Sequence, residues 1–371
     1  MTSPESVMIA LVSEQRMQNI IPLLQASASY DRIWLVRSTD ADTPNSRFAR
    51  AWQDTSDMLA TVCEVESAEP AVGAYGINET REIVAEIIQK EAANSVTVNF
   101  TGGTKCMSIG AYQAAQEAGA GAVYVDTANE TLVWFRDAEP EPESFRLEGR
   151  LTVPLYLQAN GRVVDEKRTE KHHLIPAAYE AARQLVLSWP HCVSSLEIFG
   201  KAISQGQSVV DNVAVIDEVA RILIEHHFVQ RQPEGWRIMP IGKAFLGGKW
   251  LEAMVHIMLE GSKLFDDVAS ELRLAGVESE LDVLVTRNGV LAIIECKSGD
   301  LGGQTTLNKL QAIRTGFGTF ARTFFVTSRE SSQVNDAFRN RAREHGVRAI
   351  ITAEGFPQLA TEMKKLMKGT P

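Results

Sequence analysis

The chain has 371 residues and a formal net charge of −10, so we expect two or three domains, and this charge weighs against tight, nonspecific DNA binding. No apolar run is long enough to span a bilayer, and residues 1–6 lack the basic start of a secretory signal, so we expect a cytoplasmic protein without a membrane partner. The four cysteines lie far apart and form no C-x-x-C pair, which argues against a structural zinc site and a disulfide framework.

The first 150 residues alternate short apolar runs with helical patterns. The apolar runs are typical of buried strands and lie at 7–12, 32–36, 96–100 and 121–125. Residues 14–25 and 77–93 have apolar positions at helical spacing. Strands that alternate with helices predict parallel pairing, so we expect an α/β domain over 1–150 with a Rossmann-like sheet. Ligands of such sheets lie outside the carboxyl ends of the strands.

The loop at 99–105, Asn-Phe-Thr-Gly-Gly-Thr-Lys, joins the third of these runs to a helix. Its glycines let backbone N–H groups approach an anion, and the helix N-terminus favours negative charge. The loop lacks the first glycine of a Walker A motif and is not G-x-G-x-x-G, so no dinucleotide cofactor is expected. The alternative is a tight strand–helix turn in which the glycine pair serves geometry alone.

Polar positions also follow the first two predicted strands, and they should open on the same edge of the sheet as the glycine loop. The candidate ligand-binding residues at this edge are Ser13, Gln15, Thr39, Asn99, Thr101, Gly102, Gly103, Thr104 and Lys105.

The middle of the chain, 151–240, is predicted to be a mainly helical connector. Residues 139–143 are an acidic, proline-broken turn, and residues 145–157 look extended. Helical patterns over 174–227 precede a hairpin at 228–238. Helices followed by such a hairpin resemble a winged helix.

The last third, 241–371, begins with a predicted helix at 242–260. Three strands follow at 267–274, 279–287 and 290–297, and Asn288-Gly289 joins the last two with the strongest short hairpin signal. The rest of the chain alternates helix and strand: helix 305–314, strand 323–327, helix 333–345, strand 348–352 and a final helix.

The hairpin carries the candidate catalytic site. Glu295 and Lys297 point to one face of their strand, and the tight turn brings Asp282 near Glu295. Two carboxylates suit Mg²⁺ or Mn²⁺, with the backbone carbonyl of Cys296 as a further oxygen ligand. Lys297 would orient or help to deprotonate a metal-bound water, or neutralise charge on the phosphate. Glu252, on the preceding helix, would add a ligand or position the water.

An exposed strand end, where Glu and Lys pair in solvent, is the structural alternative for a bare E-x-K pattern. Here Glu295 follows four apolar residues, Leu-Ala-Ile-Ile, that are typical of a buried strand. Glu and Lys are rarely buried unless they are paired, so their place at the end of a buried strand indicates a specific role. The functional interpretation is therefore favoured.

The order Glu280-x-Asp282 followed by Ile294-Glu295-Cys296-Lys297 resembles the PD-(D/E)xK nuclease superfamily. The resemblance implies a restriction-endonuclease-like α/β domain and metal-dependent cleavage of DNA and/or RNA. Leu281 replaces the proline of the family's leading Pro-Asp. Gln304 and Lys309 stand where such nucleases often carry accessory polar groups.

The glycine loop and the nuclease end together resemble the CARF-domain (CRISPR-associated Rossmann fold) nucleases, ancillary effectors of type III CRISPR defence. The resemblance implies a homodimer that binds a cyclic oligoadenylate, usually cyclic tetra-adenylate, across its CARF interface. It implies that residues 101–105 hold phosphates and ribose, with Ser13 and Gln15 near the ligand.

Two other functions compete with this one. The first is a ligand-sensing regulator that binds nucleic acid through the winged-helix-like connector without cleaving it. In the second, the N-terminal domain itself cleaves the cyclic nucleotide, and the sequence does not decide that.

Overall fold

A computed structural model describes residues 6–25, 30–92, 95–136, 139–145, 147–172, 174–211, 214–278 and 280–368. Ser279, expected to begin a strand, lies outside this range. No helix in these segments combines the length and apolar character needed to cross a bilayer. The division into 1–150, 151–240 and 241–371 stays a prediction.

The N-terminal region forms the predicted Rossmann-like sheet, with strand order β3-β2-β1-β4-β5-β6-β7. The first five strands in this order are parallel, and the last two are antiparallel. The strands are β1 (Val7–Leu11), β2 (Arg32–Val36), β3 (Glu64–Ser67), β4 (Val96–Asn99), β5 (Gly121–Asp126), β6 (Thr131–Phe135) and β7 (Glu141–Ser144). The helices are α1 (Met17–Leu24), α2 (Arg47–Leu59), α3 (Ile77–Glu91) and α4 (Lys105–Ala118).

Two sequence expectations near the end of this region are wrong. Residues 141–144 form β7 instead of a turn, and Pro142 is tolerated there because β7 is the exposed edge strand of the sheet. Residues 153–159 are helical instead of extended, because Thr152 caps the helix by accepting a hydrogen bond from the Leu155 backbone N–H (3.3 Å). Pro154 fits the first turn of this helix.

In its described residues, the connector forms five α-helices and a small antiparallel sheet with strand order β8-β10-β9. The helices are α5 (Val153–Ala159), α6 (Glu166–His172), α7 (Pro176–Val186), α8 (Cys192–Ser204) and α9 (Asp217–Glu225). The strands are β8 (Val209–Asp211), β9 (Val229–Gln232) and β10 (Gly235–Ile238). The predicted hairpin is β9–β10. The helical prediction over 174–227 is wrong at 209–211, which form strand β8 and pair with β10.

The C-terminal region is built on a five-stranded mixed sheet with strand order β11-β12-β13-β14-β15. The strands are β11 (Asp267–Arg273), β12 (Glu280–Arg287), β13 (Val290–Lys297), β14 (Ala321–Thr327) and β15 (Val347–Ile351). The helices are α10 (Trp250–Ser262), α11 (Gly303–Thr315), α12 (Asp336–Glu344) and α13 (Leu359–Met367). The predicted hairpin turn is present, with both Asn288 (φ 44°) and Gly289 (φ 80°) in the left-handed region that this turn type requires.

The two faces of the C-terminal sheet pack against different parts of the chain. Val283 and Val285 of β12 share a buried cluster with the connector helices. Leu284, between them, shares a second cluster with Met8 and Ile20 of the N-terminal region. Because successive side chains of a strand alternate between faces, this sheet is the middle layer of the molecule.

The tip of the β12–β13 hairpin contacts the N-terminal sheet directly. Glu130, in the turn between β5 and β6, forms a short ion pair with Arg287 and accepts a hydrogen bond from the Asn288 side chain (3.0 Å). Lys368 adds a weaker ion pair to Glu130 (3.5 Å). A Cβ at Gly289 would lie 2.6 Å from Ile21 Cδ1, so this close approach also favours glycine.

Candidate functional site

The structure brings the three predicted catalytic residues together at one end of the C-terminal sheet. Val283 pairs with Ile294, so the next register position sets Asp282 opposite Glu295. The Cys296 backbone N–H donates a hydrogen bond to Asp282 Oδ2 (2.8 Å). Lys297 Nζ lies 2.6 Å from Glu295 Oε1, and Lys309 Nζ lies 3.4 Å from Glu295 Oε2. Both acids are nearly buried, at 8% exposure for Asp282 and 4% for Glu295.

Burial and mutual repulsion disfavour the ionised form of the carboxyl groups at this site. Burial first, and then the negative charge of Glu295, raises the pKa of Asp282 to about 7. Burial and the charge of Asp282 likewise raise the pKa of Glu252 well above its usual range. Among the described residues, Glu252 Oε2 is buried and has no hydrogen-bond partner. The site therefore has excess negative charge and a carboxylate oxygen without a partner.

A second group of acids adjoins the first. Carboxylate oxygens of Glu252, Glu271 and Glu280 lie within 4.8 Å of one another. Lys249 Nζ contacts two of these acids, at 2.6 Å from Glu271 Oε1 and 2.5 Å from Glu280 Oε1. Glu271 is fully buried and has a positive φ of 57°, which is uncommon for a residue other than glycine and typical of functional sites. The ammonium of Lys249 thus neutralises part of a carboxylate cluster that could also bind a metal ion.

Sequence reasoning did not find Lys249 or Glu271. Lys249 lies at the end of a π-helical segment, Phe245–Lys249, where Gly248 has a φ of 137°. The sequence predicted one continuous helix over 242–260, which obscured this break. Such π-helical segments often lie at functional sites, and Gly247-Gly248 was the available signal.

These residues fit a divalent metal ion. Hard cations prefer carboxylate oxygens. Glu252, Glu271 and Glu280 place oxygens within 4.8 Å of one another, and Asp282 lies close enough for its charge to raise the pKa of Glu252. A cation would also offer a partner to Glu252 Oε2, which has no hydrogen-bond partner among the described residues. The backbone carbonyl of Cys296 as a further ligand stays a prediction.

The charge imbalance predicts that the metal-free protein loses stability as pH rises. The folded chain keeps a proton on Asp282 up to about pH 7, whereas the unfolded chain releases it near the ordinary pKa of 3.8. Since the folded state binds more protons between these values, the free energy of unfolding falls as pH rises through that window. Urea denaturation in EDTA across this range measures the slope, and Mn²⁺ should flatten it. An equal slope in Asp282→Asn would contradict the assignment.

A cleft of about 890 Å³ lies between the C-terminal region and the connector. The C-terminal region contributes Lys249, Glu252, Cys296, Lys297 and Arg329, and helix α8 of the connector contributes Glu197, Lys201 and Ser204. We call this the interdomain cleft. Asp282 and Glu295 do not line this cleft, whereas Lys249, Glu252, Cys296 and Lys297 do.

A smaller cavity of about 360 Å³ lies at the carboxyl edge of the N-terminal sheet, where the ligand was predicted. Five of the nine candidate ligand residues line it: Ser13, Gln15, Thr101, Gly103 and Thr104. Thr39 lies between two lining residues, Ser38 and Asp40. Lys105 is exposed at the start of α4.

Asn99 and Gly102 support the loop from beneath. Asn99 is fully buried, and its side chain donates a hydrogen bond to the Gln18 carbonyl (2.8 Å) and accepts one from the Thr101 hydroxyl (2.7 Å). The Thr101 hydroxyl also accepts a hydrogen bond from the Val125 backbone N–H (2.7 Å). A Cβ at Gly102 would lie 2.1 Å from the Leu11 carbonyl oxygen. These contacts join the loop to three strands of the sheet.

We expect Gly102→Ala to weaken nucleotide binding about tenfold or more. The added methyl group cannot fit against the Leu11 carbonyl, so the loop must shift. A shifted loop would turn its backbone N–H groups away from the phosphates that they are expected to bind. Isothermal titration calorimetry with cyclic tetra-adenylate measures the change. Gly121→Ala is the matched control, because a Cβ there would be 3.6 Å from its nearest neighbour. Wild-type affinity in Gly102→Ala would contradict a ligand role for the loop.

Two family profiles match the chain. The Card1 CARF domain matches residues 7–156, and the Card1-like endonuclease domain matches residues 242–368. No curated protein sequence matches the chain significantly.

Solved structures with the same fold cover most of the chain. Protein VC1899 from Vibrio cholerae is 19% identical, with a TM-score of 0.71 over 98% of this chain and 99% of that chain. Can2 from Sulfobacillus thermosulfidooxidans, solved in complex with cyclic tetra-adenylate, is 19% identical, with a TM-score of 0.71 over 99% and 98%. A type III CRISPR defence DNA nuclease activated by cyclic oligoadenylate is 18% identical, with a TM-score of 0.58 over 89% of this chain and 46% of that chain.

Proposed function

Because this chain carries a Card1 CARF domain followed by a Card1-like endonuclease domain, we propose that it is a metal-dependent endonuclease of type III CRISPR defence, switched on by cyclic tetra-adenylate. The observation that carries the proposal is the convergence of Asp282, Glu295 and Glu252 beside Lys297. The substrate is DNA, RNA or both.

The residues of the site have separable roles in this proposal. Asp282, Glu295 and Glu252 would hold Mn²⁺ or Mg²⁺, and the ion would supply Lewis-acid chemistry by lowering the pKa of a water and polarising the scissile phosphate. Lys297, 2.6 Å from Glu295, orients that water or offsets charge on the phosphate. Lys309 contacts the other oxygen of Glu295 and fixes the carboxylate between two ammonium groups.

The N-terminal cavity supports a ligand site shared by two copies of the chain. Its volume of about 360 Å³ is at the low end for small-molecule pockets, and a ring of four nucleotides needs more room. A second copy would supply the other half. Tyr75 is 87% exposed beside Ala74, whose carbonyl accepts a short hydrogen bond from the Thr104 hydroxyl. Ile109 on α4 is 48% exposed, so apolar surface is available near the cavity for a homodimer.

The ligand and the metal site are connected through the sheet. Thr101 in the ligand loop is bonded to β5, and the turn after β5 carries Glu130. Glu130 contacts Arg287 and Asn288 at the tip of the hairpin, whose far end carries Asp282 and Glu295. A shift of the ligand loop would therefore be transmitted to Asp282 and Glu295 through the β12–β13 hairpin. The connector could transmit it as well.

The test is cleavage of labelled DNA and RNA by the full chain with Mn²⁺, with and without cyclic tetra-adenylate. We expect cleavage only when both are present, and EDTA should abolish it. Cyclic oligoadenylates of other ring sizes serve as ligand controls. Absence of cleavage under every combination, with nucleotide bound, would instead favour a ligand-sensing regulator. Loss of the added nucleotide over time would identify ring cleavage by the N-terminal domain.

A further inference from the structure

The interdomain cleft is lined by a larger share of basic side chains than the chain has as a whole. Acidic residues outnumber basic ones by 47 to 37 overall, yet four of the seven charged side chains that line the cleft are basic. These four are Lys201, Lys249, Lys297 and Arg329. Of the three acids, Glu252 belongs to the metal site, and Glu197 accepts a hydrogen bond from the Ser328 hydroxyl (2.8 Å). Lys249 and Lys297 are already paired with acids, so Lys201 and Arg329 are the two of these four cations that can attract a polyanion.

Two of the basic residues are not used by the metal site. Lys201 is exposed on α8, and among the described residues it forms no ion pair. Arg329 follows β14, and its Nε donates a hydrogen bond to the Gly299 carbonyl (2.8 Å), which fixes its guanidinium at the cleft. One residue comes from the connector and the other from the C-terminal region. The cleft therefore presents two cations on separate elements, in addition to Lys297.

The cleft also continues beyond the metal site. A second cavity of about 390 Å³ shares Glu197 and Gln333 with it and extends along the connector past His191, Ser194 and Ser328. The two cavities form a track along the boundary between α8 and the ends of β13 and β14. An elongated ligand fits a track of this kind better than a compact one.

We propose that Lys201 and Arg329 bind the phosphodiester backbone of the nucleic-acid substrate, and that helix α8 forms one wall of the substrate path. This inference rests on the proposed function and adds a role for the connector. The backbone contacts Lys201 and Arg329 and continues to Lys297 and the metal site. Phosphate contacts of this kind set position and affinity without reading base sequence.

Binding and cleavage are measured separately in Lys201→Ala, Lys201→Glu and Lys201→Arg. Binding of labelled oligodeoxythymidylate, and of an RNA strand of equal length, is measured in an Asp282→Asn background at several salt concentrations. We expect Lys201→Ala to weaken binding about three- to tenfold. The slope of the logarithm of the binding constant against the logarithm of the salt concentration should become shallower by about one, because one phosphate contact is lost. In the active chain the same change should raise KM with kcat nearly unchanged. Lys201→Glu should have a larger effect, and Lys201→Arg should bind normally.

Arg237→Ala is the matched control, because it removes one exposed positive charge from β10, outside the cleft. Equal binding and an equal salt slope in Lys201→Ala and Arg237→Ala would overturn the inference. Failure of the wild-type chain to cleave under any condition would overturn the proposed function. The binding measurement in the Asp282→Asn background would still decide the role of Lys201.

Discussion

Asp282→Asn should lower metal-dependent cleavage by about a thousandfold or more. A bound metal ion contributes several kcal/mol to the transition state, and each 1.4 kcal/mol is about tenfold in rate. The variant keeps an oxygen that can accept the hydrogen bond from the Cys296 N–H, so the hairpin should keep its structure. It also removes a carboxylate whose pKa is raised to about 7 by burial and by Glu295, so the metal-free protein should become more stable.

The rate is measured by single-turnover cleavage with saturating cyclic tetra-adenylate, and stability is measured by thermal unfolding in EDTA. Asp336→Asn, at the start of the exposed helix α12, is the matched control and should cleave normally. Calorimetry should find nucleotide binding intact in both variants. Cleavage by Asp282→Asn within tenfold of wild type would disprove the catalytic assignment.

Glu130→Gln should uncouple the ligand from the metal site. Glu130 is the shared partner of Arg287, Asn288 and Lys368, and it forms the contact between the N-terminal sheet and the catalytic hairpin. Although burial opposes its ionisation, the hydrogen bond and charge of Arg287 lower the pKa of Glu130 overall, so the native contact is ionic. Coupling between sites amounts to about 1–3 kcal/mol, so stimulation by cyclic tetra-adenylate should fall about tenfold.

The measurement is the ratio of cleavage rates with and without saturating nucleotide. The isolated metal site should be unaffected, so Mn²⁺ affinity in Glu130→Gln should equal that of wild type. Glu141→Gln on the exposed strand β7 is the matched control. Full stimulation in Glu130→Gln would exclude the ionic contact of Glu130 as the route between the two sites.

Sequence patterns predicted four strands of the N-terminal sheet, β1, β2, β4 and β5, because these strands are short apolar runs. They did not predict β3 or β6. Val7–Leu11 is buried at every position, and such runs are typical of parallel strands covered on both faces. The exposed edge strand Glu141–Ser144 has no apolar pattern, so its pairing with β6 depends on tertiary contacts that the local sequence does not contain. The helix at 153–159 was missed because it is short and depends on a cap at Thr152.

The metal site was predictable in part. Asp282, Glu295 and Lys297 are joined by strand alternation and a tight turn, both of which are local rules. Lys249 and Glu271 meet only because α10 packs across β11, and no spacing in the sequence relates them.

The shared hydrophobic clusters have a consequence for how the chain unfolds. Leu284 and Ile293 of the catalytic hairpin are buried with Met8 and Ile20, whereas Val283 and Ile294 are buried with connector residues such as Leu196. Excision of 241–371 would expose both sides of that hairpin to water at once. Sensor, connector and nuclease should therefore denature in a single cooperative transition, and the truncated enzyme should aggregate instead of working without its activator.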